Sequence, residues 1–185
     1  QPRRQRQMCI RDRVRRNSRP FRLDLSCNRL DMKNSVEHPR RKSREAVMMA
    51  LYALEIHNNV NEKSETGPLP SASILDDILS RKSFDDDQKK YIESLFNLSV
   101  KNKVKCEEEI KSRLNNWEFD RVALIDRILL TLAICEIHFL DEVPPKVSIS
   151  EAIELAKEYS TSESSGFVNG VLDKIYQSQN ESINA

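Results

Sequence analysis

Asp120–Leu140, read as DRVALIDRILLTLAICEIHFL, decides the fold. Its apolar residues Leu124, Ile125, Ile128, Leu129, Leu132, Ala133 and Ile137 point nearly all round a helix, the pattern of a helix enclosed by other helices. Asp126, Arg127, Glu136 and His138 interrupt it, and a membrane span needs roughly eighteen uncharged residues in a row. The stretch predicts a buried central helix.

The segments on either side predict its neighbours. From Arg41 to His57, Val47, Ala50, Leu51 and Leu54 follow the i, i+3, i+4, i+7 spacing of a one-sided helix. Asn58 to Pro70, with Gly67, Pro68 and Pro70, reads as a loop, and Ser71 or Ser73 can cap a short helix through about Leu79. Asp85, Asp86 and Asp87 suit the free N–H groups and positive pole of the next helix start. Tyr91, Ile92, Leu95, Phe96 and Ser99 form its buried stripe, which resumes at Cys106, Ile110, Leu114 and Trp117; one helix and two remain open. Beyond Pro144-Pro145, Ser148 and Glu151 are spaced as a capping box, with Ile149, Ala152, Ile153 and Ala156 as the stripe that follows. The last helix is expected from about Ser164 to Gln177 on Val168, Val171, Leu172 and Ile175. Gly170 inside it costs about 1 kcal/mol against alanine, which predicts a close backbone approach there.

With three glycines against 30 basic and 29 acidic residues, the chain has little material for hairpins and much for solvated helix faces. Its net charge of +1 conceals an asymmetry, because residues 1–31 hold ten of the basic and three of the acidic residues. From Met32 onward the balance is 20 basic against 26 acidic, a net −6. Met8-Cys9-Ile10-Arg11-Asp12-Arg13 is what a transposon-end DNA sequence encodes. Residues 1–31 are therefore expected to be a non-native or disordered basic extension, with Met32 as the true start. Residues 32–178 are expected to form one helical domain and 179–185 a frayed tail. Cys106 and Cys135 then remain, without C-x-x-C spacing or a secretory h-region, which fits a reduced, cytoplasmic protein.

Enzymatic motifs find no anchor. The Walker, dinucleotide-binding and nucleophile-elbow glycine patterns do not occur, and Glu107, Glu108 and Glu109 fan out around a helix rather than converge. His38, His57 and His138 lie too far apart for a zinc spacing, so neither metal nor cofactor is expected. What stands out is Arg40-Arg41-Lys42-Ser43-Arg44 at a helix start in an otherwise acidic body. Such a patch is the electrostatic footprint of a polyanion's partner. Arginine grips phosphate bidentately and stacks on unpaired bases, which favours single-stranded RNA over duplex.

Arg40-Arg41-Lys42-Ser43-Arg44-Glu45 leading into Ala50-Leu51-Tyr52 resembles the opening of the NusB family. Val143-Pro144-Pro145-Lys146-Val147-Ser148-Ile149-Ser150-Glu151-Ala152-Ile153-Glu154-Leu155-Ala156-Lys157 and Phe167-Val168-Asn169-Gly170-Val171-Leu172-Asp173-Lys174 are similar to its signature over two helices. The likeness runs from about Arg40 to Ile175, in pattern rather than identity between Asn58 and Trp117. It implies an all-α fold of about seven helices in two packed subdomains. It also implies a non-enzymatic antitermination factor that binds boxA-type RNA with NusE, a ribosomal small-subunit protein, and docks on RNA polymerase during rRNA transcription. Carried over by position, Arg40, Arg41, Lys42 and Arg44 would grip RNA, Phe167 would stack a base, and Tyr52, Asp126 and Glu163 would meet NusE. Thr131 stands where the family usually has arginine and Ser150 where it usually has asparagine. A second reading is the RNA-binding module of an rRNA cytosine methyltransferase, which needs a truncated gene. Whether a homodimer forms without NusE stays open.

Overall fold

In the computed structural model, residues 39–61, 71–114 and 118–183 are described. The N-terminal extension, Met32, His38, Trp117, most of the first expected loop and the last two residues lie outside them. Seven helices follow in order: α1 (Pro39–Asn61), α2 (Ser71–Arg81), α3 (Asp86–Lys101), α4 (Lys103–Arg113), α5 (Leu124–Phe139), α6 (Pro145–Tyr159) and α7 (Ser164–Ile183). Among the described residues there is no strand, as the shortage of turn-forming glycines predicts. None of the described helices is long and apolar enough to cross a membrane.

The decisive stretch opens with a 3-10 turn at Phe119–Arg121 and becomes α5 three residues later. From Ile128 to Glu136 every residue of α5 is buried, so this helix is the axis of the core. α1, α2 and α3 pack together as one subdomain, and α4, α6 and α7 gather on α5 as the other. α5 also touches α1 and α3, which joins the two. The shared core includes Val47, Ala50, Leu51 and Leu54 of α1, Ile92, Leu95 and Phe96 of α3, and Val168, Leu172 and Ile175 of α7. Each large apolar side chain removed from water this way contributes roughly 1.5–3 kcal/mol against the entropy of ordering the chain.

Local chemistry sets the boundaries. Asp85 caps α3 by accepting from the Gln88 N–H at 2.7 Å, while the Gln88 side chain accepts from the Asp85 N–H at 3.0 Å. The stripe from Tyr91 to Leu114 belongs to two helices, because Asn102 leaves the helical well with φ −103° and ψ 11°. Its side-chain amide donates to the Leu98 carbonyl at 2.9 Å, the local competition that asparagine offers a helix interior. α6 begins at Pro145, one turn before the expected capping box. Proline's fixed φ suits the first helical position, and its missing N–H is one that a helix start leaves unbonded in any case. Ser148 is consequently a buried helix-interior residue. The last helix continues past Gln177 to Ile183, so residues 179–183 are helical rather than a frayed tail. Gln179 bonds the His138 ring across to α5.

Gly170 overturns the expected close approach: a Cβ built there meets nothing within 4 Å. The position is exposed helix interior, where glycine only adds freedom to the unfolded chain. Gly170→Ala should stabilise the protein by up to about 1 kcal/mol, or roughly 2–4 °C in melting temperature. A thermal melt with an unchanged or lower midpoint counts against this account of the site.

Candidate nucleic-acid interface

The first two turns of α1 carry the basic cluster, but the helix periodicity sends its members in different directions. Lys42 faces solvent. Arg40 keeps 38% of its side chain exposed, and its Nη1 donates to Glu142 Oε1 at 2.8 Å from the turn between α5 and α6. Its guanidinium also lies over the Tyr91 ring, 4.4 Å from the centroid. Arg41, 32% exposed, donates through Nε and Nη2 to the two oxygens of Glu151 on α6, each at 3.0 Å. These hydrogen bonds raise the pKa of both arginines, and the bond from Arg40 holds Glu142 below the usual carboxylate range.

Arg44 corrects the expectation that it grips RNA. Its side chain is 2% exposed and its Nε donates to Glu136 Oε1 at 2.7 Å, inside the core. The Tyr91 hydroxyl donates to the same oxygen, and Glu151 Oε2 lies 3.7 Å from Arg44 Nη1. Burial first, and then the neighbouring Glu136 charge, push the Tyr91 hydroxyl far above its ordinary pKa. It therefore acts as a neutral donor. Arg44 thus anchors α1 to α5 instead of meeting solvent.

Glu136, Glu142, Glu151 and Tyr91 are the residues that sequence reasoning missed. A signal for Glu136 was available: a glutamate on the enclosed face of a core helix needs a cation brought to it. Glu151 reads in the sequence as a helix cap, because its i+3 spacing from Ser148 disguises its role as the receptor for Arg41.

The remaining site residues fall in two places. Tyr52 stands out from α1, 38% exposed, with Ile56 exposed one turn later. Asp126 and Glu163 come together at the start of α7, but with different fates. Glu163 is exposed. Asp126 is 5% exposed, and its Oδ2 accepts from Ser164 Oγ at 2.8 Å, which places its carboxylate beside the first residue of α7. That bond sets the carboxylate near the positive end of the helix. Phe167 is half-buried and packs on the core. Thr131 is buried along a cleft of about 130 Å³ that Arg127 also lines, and Ser150 is exposed.

Comparison with known proteins agrees with this architecture. Residues 41–177 match the profile of the NusB family. The chain is 42% identical over 137 residues to the transcription antitermination protein NusB of Chloroherpeton thalassium, covering 74% of this chain and 61% of that one. It therefore spans less than two thirds of that relative's length. Against the protein of the same name from Salinibacter ruber it is 43% identical over 138 residues, covering 74% of this chain and 79% of the relative. Among solved structures, T. maritima NusB superposes with a TM-score of 0.66 at 32% identity, covering 79% of this chain and 93% of that one. A structure of antitermination factors NusB and NusE with double-stranded RNA shares the fold, with a TM-score of 0.65 at 22% identity over 76% of this chain and 97% of its own. With α5, α6 and most of α1 and α7 inside the matched region, the chain belongs to the NusB family.

Proposed function

We propose that this protein is an RNA-binding transcription antitermination factor of the bacterial cytoplasm, an adaptor rather than a catalyst. It binds boxA-type single-stranded RNA together with NusE and carries that assembly to RNA polymerase in rRNA operons. The observation that supports the reading best is the basic first turn of α1, where Arg40, Arg41 and Lys42 reach the surface of a body that is otherwise acidic. Tyr52 and Glu163 are the NusE contacts of this proposal, and Phe167, half-buried near the start of α7, is its base-stacking residue. The names of the relatives favour antitermination over the methyltransferase-module reading.

With Arg44 withdrawn into the core, three cations remain to neutralise phosphates. At about −0.7 per contact on a single strand, the logarithm of affinity should fall with the logarithm of salt at a slope of roughly −2. Filter binding of a boxA-type strand across a salt series, with and without NusE, tests this. Replacing Arg40, Arg41 and Lys42 together by alanine should weaken binding and bring the slope near zero. A triple variant that binds as tightly and with the parental slope excludes this turn as the RNA site. Running a duplex of the same sequence alongside separates single-strand from double-strand recognition.

A further inference from the structure

The two arginines that reach the surface do not present an empty fork. Arg41 spends Nε and Nη2 on Glu151, and Arg40 spends Nη1 on Glu142. Phosphate would use the same donors, because carboxylate and phosphate fit the guanidinium fork in the same bidentate way. Glu154 and Glu158 add their field to that of Glu151 at Arg41, so α6 sets a line of carboxylates against the basic turn.

We infer that Glu142 and Glu151 are built-in competitors of the RNA backbone, so that binding is an exchange of carboxylate for phosphate. The inference rests on the proposed RNA reading and adds a device for selectivity to it. A strand that offers only phosphates must displace an existing ion pair and leave a glutamate facing its own negative charge. A strand held also by base contacts or by a protein partner can meet that cost. The two pairs differ in strength. Arg40–Glu142 is exposed on both sides and bonds once, the kind of pair worth little in water, while Glu151 is mostly buried and bonds twice. Arg40 is therefore the contact released first, and Arg41 the one released last.

Glu142→Gln is the decisive variant, because Glu142 is exposed and its loss leaves the core untouched. The probe is an oligouridylate, which supplies phosphates without a boxA sequence. Its affinity for E142Q should rise roughly two- to fivefold over the parent, with a salt slope steeper by up to about 0.7. The gain should vanish when E142Q is made in an Arg40→Ala background, which separates a specific competition from the removal of a nearby negative charge. An E142Q protein with parental affinity, or one that tightens equally with and without Arg40, overturns the inference. If the arginine and lysine triple variant meanwhile loses RNA, the RNA reading itself survives. Should the parent bind no RNA at all, both fall together.

Discussion

Arg44→Ala is expected to lose about 3–5 kcal/mol of folding stability, the range for removing one partner of a buried ion pair. The loss follows from what stays behind. Glu136 is fully buried on α5, and only Arg44 and Tyr91 among the described side chains bond its Oε1. Its Oε2 has no hydrogen-bond partner among the described groups, so nothing stands ready to replace the guanidinium. A buried carboxylate without its cation pays the desolvation cost uncompensated. Replacing Arg44 and Glu136 by leucine and Tyr91 by phenylalanine together removes the charges and the orphaned hydroxyl. Most of the loss should then return, since apolar replacement of a whole buried network is often neutral. Urea unfolding followed by circular dichroism measures both variants. A single variant within about 1 kcal/mol of the parent contradicts the claim that Arg44 is an internal anchor and returns it to the candidate RNA surface.

The second large effect belongs to the helix that organises the core. Leu129→Ala should cost roughly 2–5 kcal/mol, the transfer energy of the lost side chain plus the cavity it leaves. The upper half of that range is expected, because α5 is gripped by α1, α3, α4, α6 and α7 and no single neighbour can move in without losing contact with another. Leu129 itself is completely buried. Val104→Ala on the exposed side of α4, where 67% of the residue is open to solvent, should stay within about 0.5 kcal/mol. Equal denaturation midpoints for these two variants are incompatible with a core centred on α5.

These predictions concern residues that the sequence treats alike and the fold separates. Arg40, Arg41 and Arg44 look like one patch, because four of the five consecutive residues 40–44 are basic. A helix turns by about 100° per residue, so only some of them can face solvent, and which ones depends on where α5 and α6 lie. Arg44 is drawn inward by Glu136, a residue 92 positions away. Asp126 is drawn inward by Ser164 in the same manner. Glu151 was readable as a cap from its neighbour Ser148, yet its partners sit on α1. Pairings of this kind are set by tertiary packing, and no local pattern carries them.

Much else was local and therefore legible. The all-round apolar pattern of α5, the one-sided stripes of α1, α3, α6 and α7, and the acidic start of α3 each depend on side chains a few positions apart. The periods left one helix or two open between Asp85 and Trp117, and the count of about seven helices in two packed subdomains came from the resemblance of the α1 opening and the α6–α7 signature to one family. What the amino-acid order determined by itself is the set of helices, the faces that had to be buried and the presence of a cationic turn in an acidic protein. Only the packed structure decided which cations stay at the surface, because burial and pairing depend on carboxylates that long-range contacts deliver.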